Sequence, residues 1–151
     1  MTGGSRRHQR IAFNLTRLLV DALDPARFDV VQGMRLNTGE QVRYPDVSVV
    51  AGRLSDDTRT IRIRTIRDAV MLFEVLSDET ADTDRGQKRV DYARLPSLRR
   101  YVLLEQDRAA ATVLVWVGDG WADAPGGASL DLPELGVSLA LAAAYQGVQF
   151  R

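Results

Sequence analysis

The sequence contains no cysteine, and that absence removes thiolate nucleophiles, iron–sulfur clusters and cysteine-ligated zinc together. His8 is its only histidine, so multi-histidine metal sites and HExxH proteases are excluded, and any Ser-His-Asp mechanism would have to use that residue. No apolar run is long enough to span a bilayer, and the opening Met1 to Arg7 lacks the apolar core of a signal peptide. A cytoplasmic protein with no membrane partner is therefore expected. Lysine is nearly missing too: of the 20 basic side chains, all but Lys88 are arginine. A compact ammonium with a shiftable pKa is what arginine cannot supply, although one stray lysine is also what chance would leave.

What is present is ordinary for a globular protein. At 151 residues, 45% hydrophobic and 26% charged, the chain fits a single domain over 1–151 with a core that needs no disulfides. Formal net charge is zero, so binding to nucleic acid would have to rest on a local basic face.

From Ser5 to Leu23 the apolar residues Ile11, Leu15, Leu18 and Leu19 recur at helical spacing, predicting an amphipathic helix stopped by Asp24-Pro25. His8 falls on its inward stripe, where a half-buried packing role is the plain alternative to a functional one. Phe28 to Leu36 and Gln41 to Ala51 read as strands of an antiparallel hairpin, with Pro45 marking an irregular point just before Asp46. The polar stretch from Gly52 to Asp68 holds four arginines, Arg59, Arg62, Arg64 and Arg67, and reads as a loop on the substrate side.

Ala69 to Ser77 is an apolar strand with one carboxylate, Glu74, near its end. Burying that charge unpaired costs several kcal/mol, so it calls for a metal, a cation or water. A helix is expected from Asp82 to Leu95, stopped before Pro96, with Asp84, Lys88, Asp91, Tyr92 and Leu95 along one face. A surface Asp84–Lys88 ion pair without function is the bland reading of that face. Strands follow at Arg100 to Gln106 and Ala110 to Val117, then a Gly118-Asp119-Gly120 turn and Trp121 to Asp123. The two tryptophans, Trp116 and Trp121, read as sheet-covering core. A short strand and an Ala-rich helical turn close the chain. The fold class is mixed α/β.

Phosphodiester hydrolysis needs an activated water and relief of charge on the phosphoryl oxygens, and Mg²⁺ or Mn²⁺ can provide both. Such hard cations take oxygen ligands and keep several waters, so Asp46 and Glu74 on neighbouring strands would suffice as the metal pair. A lysine at position 76 would point the same way as Glu74, but that residue is Leu76. Lys88, from the following helix, could bring the ammonium instead.

Tyr44-Pro45-Asp46-Val47, Phe73-Glu74-Val75-Leu76-Ser77, the run from Asp84 to Tyr92 and Leu95-Pro96-Ser97-Leu98 through Leu103 resemble the Uma-two restriction endonuclease family of the PD-(D/E)xK nuclease superfamily. His8-Gln9-Arg10-Ile11 is similar to its opening helix, and Leu132-Pro133 with Gly136-Val137 to its closing segment. The resemblance implies a restriction-endonuclease-like core, a central mixed β-sheet flanked by helices with additional β-hairpins. It implies metal ligands at Asp46 and Glu74, a migrated lysine at Lys88, and His8, Asp84 and Tyr92 near the site. Leu76 departs from the superfamily's strand lysine, and Arg7 stands where members often carry an acid.

The catalytic set expected from this is Asp46, Glu74, Lys88, His8 and Tyr92, acting on nucleic acid, with DNA as substrate. Cutting both strands with one site per chain implies a homodimer. Two other classes remain: a non-catalytic nucleic-acid-binding or dimerisation module of the same fold, and a hydrolase pairing His8 with Ser5 or Ser77. The last has no nucleophile-elbow glycine pattern behind it.

Overall fold

The computed structural model describes residues 5–52, 68–78 and 80–150. The arginine-bearing stretch expected to face substrate falls at 53–67, outside them.

Helix α1, Arg6–Ala22, is capped by Ser5, whose hydroxyl accepts the backbone N–H of His8 at 3.1 Å. Its buried stripe of Ile11, Leu15 and Leu19 lies along one face of a six-stranded sheet. That sheet is built from β1 (Phe28–Gln32), β4 (Val47–Ala51), β5 (Ala69–Val75), β6 (Arg100–Leu104), β7 (Ala111–Trp116) and β8 (Trp121–Asp123), adjacent in that order. The small strands β2 (Leu36–Asn37) and β3 (Val42–Arg43) form a hairpin outside it. All neighbours within the main sheet are antiparallel except β5 and β6, which makes the sheet mixed.

Parallel neighbours require a crossover, and here it carries α2 (Ala81–Arg85) and α3 (Gln87–Tyr92) over the other face. The central strands are therefore covered on both sides. In β5, Met71, Phe73 and Val75 pack toward α1, while Leu72, followed by Leu76 just beyond the strand, packs with Tyr92, Leu95 and Tyr101 beneath the crossover. Each large apolar side chain so buried contributes roughly 1.5–3 kcal/mol, which is what holds Glu74 in the middle of the layer. The closing hairpin, β9 (Ser129–Leu132) and β10 (Val137–Ala140), with α4 (Leu141–Ala144), completes the α1 side. There the buried Asn14 amide donates to the carbonyls of Ala144 and Gln146 and ties α1 to the chain's end.

Three sequence expectations change in detail. The strand from Phe28 ends at Gln32, because Gly33 turns the chain at φ 58°. The strand expected from Gln41 to Ala51 is interrupted at Tyr44-Pro45-Asp46, where proline has no N–H to give a ladder. The single helix expected from Asp82 to Leu95 is two short ones, broken at Gly86 with φ −107° and ψ −90°. A Cβ at that position would stand 3.0 Å from the Asp82 carbonyl oxygen. Trp116 and Trp121 meet edge to face at 5.3 Å, and the Trp121 indole N–H donates to the Arg89 carbonyl, so that pair covers the sheet beside α3.

Candidate active site

Asp46 stands one residue before β4, and Glu74 one residue before the end of β5. Because Val47 pairs with Phe73, the antiparallel register brings the two carboxylates to the same end of the sheet. The proline break frees Asp46 from the ladder, and its Oδ2 accepts the backbone N–H of Val75 at 2.8 Å. His8 Nε2, reaching from the first turns of α1, stands 3.1 Å from that same oxygen. The strand break and the inward stripe of α1 together place this pair.

Glu74 is only 3% exposed. Its Oε1 accepts from Lys88 Nζ at 3.1 Å and from the Tyr92 hydroxyl at 3.0 Å. Lys88 Nζ is also 2.6 Å from Asp84 Oδ1, so one ammonium sits between two buried carboxylates. The Thr80 hydroxyl donates to Asp84 Oδ2 at 3.0 Å and lies 2.9 Å from that of Ser77. Tyr101 donates to the Asp84 carbonyl and packs edge to face on Tyr92 at 4.9 Å. Leu76 turns into the apolar cluster under the crossover, so the strand brings no cation of its own there. The helix break keeps the Asp84–Lys88 spacing while letting α3 turn independently.

Asp91, expected on the face that holds Asp84 and Lys88, is instead gripped by Arg43 at 2.8 and 3.0 Å and by Gln87 at 3.0 Å. It braces β3, and with it the Tyr44-Pro45-Asp46 turn, against α3. The signal for this role was the spacing of Gln87 and Asp91, four apart on α3. The Val75 amide that holds Asp46 left no mark in the sequence.

Burial, with the negative charges of Asp46 and Asp84, outweighs Lys88 and pushes the Glu74 carboxyl up to about 8. Burial alone would lower Lys88, but Glu74 and Asp84 hold its ammonium above the usual range. The hydrogen bond to Asp46 raises His8 despite desolvation, and burial beside Glu74 keeps the Tyr92 hydroxyl protonated. Among the described residues no three histidine, aspartate or glutamate groups form a ready-made metal cage. The hydrogen bonds above fall on Oδ2 of Asp46 and Oε1 of Glu74, leaving each carboxylate another oxygen to offer. Two such oxygens with an excess of negative charge fit a hard divalent cation that retains water, and fit no soft metal.

The model of the Uma2 family, described as "putative restriction endonuclease", matches residues 1–144. The chain belongs to this family. Relatives of this Uma2 chain include two uncharacterized proteins of Synechocystis sp. One, sll1609, is 32% identical over 70% of the chain and 60% of its own length, so the match leaves a good part of that relative uncovered. The other, slr1290, is 29% identical over 99% of the chain and 80% of its own length. The Uma2 chain is also similar in fold to a crystal structure from Anabaena variabilis described as a "putative nuclease" of DUF820, with a TM-score of 0.72. That likeness covers 94% of the chain and 82% of the other at 14% identity, and speaks to fold alone. No described helix of the Uma2 chain is long and apolar enough to cross a membrane.

The raised groups set a pH dependence. An unfolded glutamate titrates at 4.5 and the folded Glu74 at about 8, so the folded protein holds an additional proton between those values. The stability this proton contributes is complete below 4.5 and is lost as pH rises to about 8. His8, raised above 6.5, acts in the same direction, losing its contribution as pH rises through its folded value. In a chelating buffer, urea unfolding is expected to show stability falling by a few kcal/mol from about pH 6 to about pH 9. Glu74→Gln should remove most of that slope; a wild-type curve that is flat or rises with pH contradicts the assignment.

Proposed function

We propose that this chain is a Mg²⁺- or Mn²⁺-dependent DNA endonuclease, cytoplasmic like its substrate, in which Asp46 and Glu74 hold the metal. The observation that carries the reading is the meeting of these two carboxylates at one end of β4 and β5 with Lys88 fixed between Glu74 and Asp84. When bound there, the cation supplies charge neutralisation at the phosphoryl oxygens and a water of lowered pKa. Everything else is done by side chains of the chain.

Lys88 keeps its proton, so its role is to donate a hydrogen bond to the attacking water or to a phosphoryl oxygen, not to act as the base. Its position on α3 takes the place of a strand lysine at Leu76. Tyr92 is fully buried and orients Glu74 through its hydroxyl; His8 orients Asp46 and contributes positive charge on the α1 side. Asp84, held by Thr80 and Tyr101, fixes where the ammonium points. Double-strand cleavage by one site per chain calls for a homodimer.

The test is calorimetric titration of Mn²⁺ into the wild type and Asp46→Ala, with and without duplex DNA, alongside a cleavage assay. Micromolar to millimolar binding that vanishes in the variant, with cleavage only by the wild type, is the expected result. Absence of Mn²⁺ binding in the wild type under both conditions would leave the non-catalytic module of the same fold.

A further inference from the structure

A cavity of about 470 Å³ opens between the first turns of α1 and residues 147–149, and the side chains that enter it from the helix are Arg6, Arg7 and Arg10. At about 100° per residue, Arg6 and Arg10, each two residues from His8, point roughly 160° away from it, so the cavity lies across the helix from the candidate active site. Its other wall is bare where Gly147, at φ 76°, turns the chain past the helix.

Neither Arg6 nor Arg10 has an acidic partner among the described residues. Arg7 pairs with Asp107 at 3.0 Å, but that aspartate is 72% exposed, and such a pair is given up at little cost. Arg7 also lines a second cavity, of about 260 Å³, at the carboxyl end of β5, but there Asp78, Glu105 and Asp107 outnumber Arg7 and Arg85, and Arg85 is paired with Glu105 at 2.6 Å. Arg6, Arg7 and Arg10 therefore meet in the first cavity alone, whose lining residues include no acid. On a chain of zero net charge this is a local concentration of positive charge with room for a tetrahedral anion and its water. Guanidinium forks match phosphate oxygens two at a time.

We propose that the first cavity holds a backbone phosphate of the bound nucleic-acid strand, distinct from the one to be cleaved, with Arg6 and Arg10 as its ligands and Arg7 beside them. The inference rests on the nuclease reading for its choice of partner. It assigns the strand's affinity to α1 and its cleavage to the Asp46–Glu74 end.

Fluorescence anisotropy with a labelled duplex of about 20 base pairs, in a chelating buffer that prevents cleavage, tests it. Arg6→Gln/Arg10→Gln is expected to bind at least tenfold more weakly, with the slope of log affinity against log salt shallower by about one for each phosphate that is no longer neutralised. Arg6→Lys/Arg10→Lys should recover most of the slope, and Arg17→Gln, exposed on the same helix outside the cavity, should change affinity less than threefold. Equal affinity for the double glutamine variant and the Arg17 control overturns the proposal, as does a wild type that binds no duplex at low salt. Calorimetric binding of inorganic phosphate that is abolished in the double variant while its DNA affinity stays full would also overturn it, assigning the cavity to a small anion. Because no metal or cleavage enters, a failed nuclease reading is seen separately, in the Mn²⁺ titration.

Discussion

Glu74→Gln is expected to lower metal-dependent cleavage by at least about a thousandfold while making the apo protein more stable above about pH 8. The two effects share one cause. The carboxylate is almost wholly buried and its proton is lost only near pH 8, so charging it in the folded protein works against folding. The amide keeps the shape, can still accept from Tyr92, and leaves Lys88 its closer partner Asp84 at 2.6 Å. It offers a divalent cation one neutral oxygen in place of an anionic one, which a hard metal with few protein ligands does not tolerate. Urea unfolding at about pH 9 and Mn²⁺ calorimetry measure the two sides. Unchanged Mn²⁺ affinity in the variant would remove Glu74 from the metal pair.

Lys88→Ala should separate chemistry from metal binding. The substitution leaves the Glu74 and Asp84 carboxylates, with side chains only 4% and 1% exposed, without the cation between them. Removing one partner from a buried ionic cluster costs about 3–5 kcal/mol, and below about pH 8, where Glu74 already holds its proton, the loss falls on the Asp84 contact. Mn²⁺ should still bind and should raise the variant's melting temperature by more than the wild type's, because it restores positive charge beside Glu74. Single-turnover cleavage should fall about a hundredfold or more, as expected when one donor to a developing oxyanion is removed. A variant in which Mn²⁺ binding and turnover vanish together would make Lys88 a structural residue.

The parts of this arrangement that periodicity carries were legible in the sequence. His8 sits three residues before Ile11 on a helix whose buried stripe is unmistakable, and Glu74 is the lone charge in an apolar strand. The four-residue spacing from Asp84 to Lys88 survives the helix break, with the ammonium still on the Asp84 carboxylate. The break at Gly86 was hidden, since a glycine within a helical pattern is tolerated as often as it interrupts, and nothing local reveals a tertiary turn. Asp91 was expected on the face of Asp84 and Lys88 for that reason: once α3 turns separately, the residue faces Arg43 on β3. The arginine cavity was equally hidden, because its second wall comes from the far end of the chain.

The two halves of the candidate site differ in how far along the chain they must reach. Glu74 meets Lys88 and Tyr92 at separations of 14 and 18 residues, within the crossover that links β5 to β6. Asp46 reaches Val75 across 29 residues, and His8 comes to it from a helix that the closing segment must also pin through Asn14. Loop closure makes the crossover half the earlier to assemble, and the docking of α1 the step that completes the site. Undocking that helix would withdraw the His8 contact and the arginine cavity together, while the Glu74–Lys88–Asp84 cluster stayed in place. In hydrogen exchange, α1 and residues 141–149 should therefore open as one cooperative unit below the global unfolding free energy, making competence for substrate a property that can vanish without unfolding the sheet.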